Sequence, residues 1–233
     1  MDYIRGLDLS SVQANVDFDK VAAAGYKFAI AKCGSGNDCI DSKFAQNIAG
    51  IRASGMIPGC YQFVEPIDLP DSPGHVNRTA IEQAKYHFGA SKGLGTANGE
   101  LKTFMDCEWP MTPQDWATYG CSENQIRDYL LAYKQQYETE SGASVGIYTD
   151  RGFWNLIHGE QFDGLLSCDF WAADPLPEGH AFPQEGTAPP LYPPFYSWSL
   201  WQWSWSLTVP GIVDKVDGDC IPDEATFTAL TTR

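Results

Sequence analysis

The chain has 233 residues, 43% hydrophobic and 19% charged, which suits one compact domain with a substantial core and excludes a disordered polymer. Fifteen Lys and Arg against 30 Asp and Glu leave a formal net charge of −15, which repels a phosphate backbone and argues against nucleic acid as a partner. No run approaches the roughly 18 apolar residues of a membrane-spanning helix, so membrane insertion is not expected, and Asp2, Arg5 and Asp8 interrupt the start where a signal peptide needs an apolar stretch.

Residues 4–9 read as a strand and 18–24 as a helix ending in VAAAG, with Gly25 at a C-cap before a second strand over 27–33. The phrase repeats: a helix over 42–54 stops at Gly55 before a strand over 57–64, and a helix over 77–90 leads to a strand over 102–107. Ser122 and Gln125 have capping-box spacing and open a helix over 123–141, which Gly142 closes before a strand over 144–148; a short fifth helix follows Thr149. Past about residue 165 the rhythm changes, for DFWAAD, SLWQWSW and a run near 212–217 look like strands without comparable helices between them. Residues 174–197 hold seven of the 15 prolines and read as a long irregular loop. The pattern predicts an α/β fold, an irregular TIM-like barrel of eight strands with helices after the first five only, (β/α)5(β)3, as a single domain over 1–233.

In a parallel barrel, functional groups belong at strand C-termini, and acidic residues recur there: Asp8, Asp106 with Glu108, Asp150, Asp174, and Asp214 with Asp217. In FMDCEWP, strand alternation puts Asp106 and Glu108 on one face, roughly 6–7 Å apart by strand rise. Like charges that close raise one pKa, which leaves an acid beside an ionised neighbour, as glycoside cleavage requires; the bland alternative is a solvated edge. Asp8, in GLDLSSVQ, is either a site acid or a cap for the turn through Ser10 and Ser11. Twelve Phe, 11 Tyr and eight Trp supply faces for core packing or for sugar stacking, and the candidates are Tyr61, Tyr148 and the run Trp201, Gln202, Trp203, Ser204, Trp205.

Seven cysteines are an odd number without a C-x-x-C. Cys60, Cys107 and Cys168 sit in apolar runs and read as buried free thiols, whereas Cys33 with Cys39, or Cys107 with Cys121, are conceivable bridges. His75, His87, His158 and His180 show neither H-E-x-x-H spacing nor a cysteine partner pattern, and no phosphate loop or G-x-S-x-G is present. No metal and no cofactor are expected.

Together these residues resemble glycoside hydrolase family 25, the N-acetylmuramidase lysozymes. GLDLSSVQ is similar to the family's G-x-D-x-S-x-x-Q opening, FAIAKCGSG to its FVIIKATEG, GCYQF to GAYHF and TFMDCE to its apolar-D-x-E. GIYT, WAA with Trp171, LWQW and VPGIVDKVD then follow in the family's order. The resemblance implies the same five-helix barrel and a groove containing Asp8, Asp106, Glu108 and Asp217, with Glu108 as proton donor and Tyr61, Tyr148, Trp171, Trp201, Gln202 and Trp203 against the substrate. Ser35 stands where the family often has Glu and Gln62 where it often has His, so recognition of stem peptide or sugar substituents is expected to differ. The implied partner is bacterial peptidoglycan and the implied act cleavage of the β-1,4 bond between N-acetylmuramic acid and N-acetylglucosamine by a monomer. A silent glycan-binding barrel and a chitinase-like glycosidase are the alternatives. No wall-binding module is expected after the barrel, and the start at Met1 suggests either a phage endolysin released through a holin-type pore or a processed secreted form.

Overall fold

Eight strands close into a barrel in the computed structural model, which describes residues 3–66, 80–108 and 122–232. They are β1 (Ile4–Leu9), β2 (Phe28–Ser35), β4 (Ile57–Phe63), β5 (Phe104–Asp106), β6 (Gly146–Asp150), β7 (Phe170–Ala173), β8 (Leu200–Leu207) and β9 (Val216–Ile221). A two-residue strand, β3 (Cys39–Ile40), folds back on the end of β2. The ring runs β1-β9-β8-β7-β6-β5-β4-β2 and is closed by pairing of β1 with β2.

The expected parallel pairing holds everywhere except at β9, which is antiparallel to both β8 and β1. The cause is the connection from β8, residues 208–215, which is too short for the crossover of a dozen or more residues that a parallel neighbour needs. The last strand also begins later than the run at 212–217. There the chain is still turning: Gly211, at φ +97°, has its carbonyl accept from the Asp17 N–H at 2.8 Å, and a Cβ on it would lie 2.5 Å from the Asp17 carbonyl oxygen.

Helices α1 (Phe18–Ala23), α2 (Phe44–Ala53), α3 (Ala80–Ser91), α4 (Glu123–Ser141) and α5 (Arg151–Leu156) follow the first five barrel strands. The start expected for α3 at 77–79 and the residues Trp109, Pro110 and Cys121 lie outside the described residues. Both reciprocal hydrogen bonds of the Ser122/Gln125 capping box form, and Gly142 ends α4 at φ +69°. A sixth helix, α6 (Glu224–Thr231), was not foreseen. It follows β9 and inserts Leu230 and Phe227 among Ile4, Phe28 and Ile221, which closes the barrel opposite the strand C-termini.

Inside the barrel, ring side chains fill space that glycines leave open. A Cβ at Gly6 would stand 2.1 Å from the Phe28 ring, and one at Gly146 would stand 2.3 Å from Phe104. The proline-rich connection between β7 and β8 has no regular element, yet it is fixed. Phe195 stacks on Phe170 at 4.2 Å, Trp154 Nε1 donates to the Pro193 carbonyl at 2.8 Å, and the Tyr192 hydroxyl donates to the Thr149 carbonyl at 3.0 Å. Burying each such ring contributes about 1.5–3 kcal/mol.

Cys33, Cys39, Cys60, Cys107, Cys168 and Cys220 are free thiols, so the conceivable Cys33–Cys39 bridge is not formed, and all but Cys39 are buried. Among the described residues no helix is long and apolar enough to cross a membrane.

Candidate active site

At the end of the barrel where the parallel strands finish, Asp8, Tyr61, Asp106, Glu108, Tyr148, Trp171, Gln202 and Asp217 line a cleft. Asp106 is the last residue of β5, with Glu108 two residues further on the same face. Asp217 reaches this rim differently from the others, because β9 is reversed and its first residues lie beside the last residues of β1, with Asp217 paired to Asp8. Around the ring β9 is four strands from β5 in either direction, so Asp217 and Asp106 stand on opposite walls. Two carboxyls therefore face two others across the cleft, with Tyr61 and Tyr148 packed edge-on against Trp171 between them, at 6.0 and 4.8 Å.

Gln202 organises one side. Its Nε2 donates to Asp8 Oδ2 at 2.8 Å, while its Oε1 accepts from the Tyr148 hydroxyl at 2.9 Å and from Trp205 Nε1 at 2.8 Å. Trp205 was grouped with Trp201 and Trp203 by alternation, but the ladder between β8 and β9 has irregularities on both sides of Ser204, and these bring Trp205 round to the cleft with 59% of its surface exposed. Trp201 and Trp203 do not line the cleft. They point outward from β8: the Trp201 Nε1 donates to the Asp174 carbonyl at 2.8 Å, and Trp203 packs edge-on against Phe182.

The remaining acidic candidates separate in the same way. Asp150 is the N-cap of α5, its Oδ1 accepting from the Phe153 N–H at 3.0 Å, and Asp214 lies exposed in the turn before β9. Gln62 turns away from the cleft, donating from Nε2 to the Gly36 carbonyl at 2.7 Å.

Two groups at or around the cleft were not singled out in the sequence. Asp219, inward-facing and fully buried, accepts from Trp171 Nε1 at 2.9 Å. Lys32 lies over the Phe63 ring at 4.8 Å and is a positive charge acting on Asp106 and Glu108.

So many carboxyls cannot all ionise in a half-buried cleft. Burial, then the charge of Asp150, pushes Glu108 up to about 7, against the pull of Lys32. Burial raises Asp217 to about 6. Burial and the neighbouring Asp217 raise Asp8 to about 8, and burial and Glu108 hold Asp106 well above the usual carboxylate range. Asp106 Oδ1 is buried and has no hydrogen-bond partner among the described residues, an acceptor available to a ligand N–H. Burial also pushes the Tyr61 and Tyr148 hydroxyls well up, so both remain neutral donors. The cleft thus combines protonated and ionised carboxyls on facing walls over an aromatic floor, the equipment of a glycosidase.

The chain belongs to the glycosyl hydrolases family 25, whose model matches residues 7–212. It is 27% identical to Lysozyme M1 of Streptomyces globisporus over 92% of this chain and 66% of that protein, and 25% identical to the N,O-diacetylmuramidase of Arthroderma benhamiae over 67% and 61%. The matched stretch therefore spans somewhat under two thirds of the length of these two relatives. The structure superposes on the bacterial lysozyme from Streptomyces coelicolor with a TM-score of 0.82 at 26% identity, covering 98% of this chain and 96% of that one.

Proposed function

We propose that the protein hydrolyses the β-1,4 bond between N-acetylmuramic acid and N-acetylglucosamine in bacterial peptidoglycan. The observation that carries this reading is the placement of Asp106 and Glu108 on one wall of an aromatic-floored cleft, facing Asp8 and Asp217 on the other. The names lysozyme and diacetylmuramidase borne by the relatives support it.

Glu108 is the proton donor. With its carboxyl raised to about 7 it holds a proton near neutrality and can deliver it to the glycosidic oxygen as the bond breaks. Asp106 accepts the N–H of the substrate's 2-acetamido group at its unpartnered Oδ1 and orients that group beneath the anomeric carbon. On the opposite wall Asp217, raised only to about 6 and so ionised near neutrality, stabilises the developing oxocarbenium charge, and Asp8 beside it orients water for the second step. Tyr61, Tyr148 and Trp171 shape the cleft, and Trp205 offers an exposed indole face at its edge to a sugar ring.

Incubation with purified cell walls tests the proposal. New reducing ends are expected, and mass spectrometry of the fragments should find N-acetylmuramic acid at them. Saturable binding without release would instead identify a glycan-binding barrel. Release of reducing N-acetylglucosamine, or faster cleavage of chitin oligomers than of walls, would move the activity to the chitinase class.

A further inference from the structure

Outside the barrel, away from the cleft, Cys33, Cys60 and His87 converge. Cys33 is the extra residue of an irregularity in β2 between the Lys32–Tyr61 and Gly34–Gln62 pairs, Cys60 lies on the neighbouring β4, and His87 comes from α3. All three are completely buried, and the two sulfurs and an imidazole nitrogen lie within 4.8 Å of one another. Oxygen atoms border the group. Thr103 Oγ1 is 3.1 Å from Cys60 Sγ and 2.8 Å from His87 Nε2, and Gln62 Oε1 accepts from the Cys33 thiol at 3.2 Å.

Packing alone does not call for this group. A buried layer between strands and a helix is ordinarily filled by apolar side chains, which leave no polar atom to satisfy. Here two cysteines and a histidine, from three separate elements, instead bring together the soft sulfur and nitrogen donors that tetrahedral zinc sites use. Each is 27 residues from the next, far outside any local ligand motif, which is why only the fold brings them together.

We infer that Cys33 Sγ, Cys60 Sγ and His87 Nε2 form a closed structural site for one soft divalent cation of the zinc type, with the oxygen of Thr103 or Gln62 completing a tetrahedron. The surroundings fit this. The other ring nitrogen, Nδ1, lies 2.7 Å from the Tyr133 hydroxyl, an acceptor that fixes Nε2 as the bare nitrogen once a cation is bound. Binding displaces the thiol protons of Cys33 and Cys60 and ties α3 to the two strands that carry Lys32 and Tyr61 into the cleft. Because the site is sealed, the cation enters as the chain folds.

Protein produced in zinc-supplemented medium and purified without chelator should retain about one zinc per chain by elemental analysis. Refolded with Cd²⁺, it should show an ultraviolet sulfur-to-cadmium charge-transfer band and a cadmium NMR resonance in the range of two sulfur ligands. Cys33→Ala should lose the band and Cys220→Ala, which removes a buried thiol elsewhere, should keep it. Zinc below about a tenth of an ion per chain, a cadmium resonance typical of oxygen ligands, or a Cys33–Cys60 disulfide in the native protein would overturn the site. The wild-type cadmium resonance decides the question even if Cys33→Ala does not fold.

Discussion

Asp219 faces the barrel interior two residue pairs below Asp8: Asp8 pairs with Asp217 across the β1/β9 ladder, and Asp219 pairs with Gly6. Burial and the neighbouring Asp8 hold Asp219 well above the usual carboxylate range, so it keeps its proton at neutral pH. Oδ1 accepts from Trp171, which leaves Oδ2, otherwise without a partner among the described residues, to carry that proton toward Asp8. The hydrogen bond favours the ionised form of Asp8 and opposes burial and Asp217, which raise it. Asp219→Asn preserves both contacts, the amide N–H donating to Asp8 and the oxygen accepting from Trp171. It should retain activity within about 3-fold and an unchanged pH profile, whereas Asp219→Leu should lose about 10- to 100-fold and move the acid limb to higher pH. Steady-state rates across pH on both variants check this, and a large loss in Asp219→Asn would mean that Asp219 acts as an anion.

Glu108→Gln should lower wall hydrolysis by at least about 10², because the amide cannot donate the proton. Its melting temperature should equal or exceed that of the wild type, since the change removes a partly buried carboxyl from the fields of Asp150 and Asp217. Reducing-end release and thermal circular dichroism on the same preparation separate lost chemistry from lost fold. More than about a tenth of wild-type activity would take Glu108 out of the acid role.

Stability and activity should share a pH signature. Asp8, Glu108 and Asp217 have folded pKa values of about 8, 7 and 6, all raised, so between the ordinary carboxylate range and these values the native state binds more protons than the unfolded one. The slope of unfolding free energy with pH is then negative. Their contribution is fully present below the ordinary carboxylate pKa and is lost as pH rises through about 6 to 8. Melting temperature should fall from pH near 5 to pH near 8 in buffers of equal ionic strength, and kcat/KM should fall above about 7 as Glu108 loses its proton. A melting temperature that rises over this range would show that these carboxyls are not raised.

Much of this was legible before folding because glycine caps, capping-box spacing and strand alternation are local signals. Gly25, Gly55 and Gly142 marked three helix ends, and the D-x-E spacing put Asp106 and Glu108 on one face. What escaped notice depends on neighbours distant in sequence. VDGDCI does not look like a buried strand, because its acidic residues turn inward to a polar cleft instead of outward to water. Trp205 follows the irregularities of β8 rather than the alternation that groups it with Trp201 and Trp203. The threonine-rich α6 has weak helix propensity, and it is the burial of Leu230 under the barrel that makes it worth forming.

Net charge should govern the approach to the wall. A chain of −15 meets repulsion from wall carboxylates and teichoic phosphates, and the Debye length of about 30 Å at 0.01 M falls to about 10 Å at 0.1 M. Hydrolysis of whole walls should therefore rise as salt is added from very low values and then level or fall, while cleavage of a short neutral glycan should respond little. A monotonic loss on walls from the lowest salt would place a local basic patch in control of docking.

The stereochemical outcome follows from which group meets the anomeric carbon. Asp106 and Glu108 share one wall, so they do not flank the bond, and the flanking carboxyls Asp8 and Asp217 stand across the cleft on β1 and β9. If either of those activated water directly, the product would be inverted. The unpartnered Oδ1 of Asp106 favours the other course, because an acetamido N–H held there aims the acetamido oxygen at the anomeric carbon from within the substrate, the route of the substrate-assisted enzymes. Water then opens the resulting ring from the face that the leaving sugar vacated, and the configuration is retained. Asp106→Ala, which leaves no acceptor at that position, should accordingly cost nearly as much as Glu108→Gln, although it removes no acid from the proton-transfer step. Proton NMR of the newly formed anomer immediately after mixing should find the β product first. An α product appearing first would rule out retention and assign the base to Asp8 or Asp217.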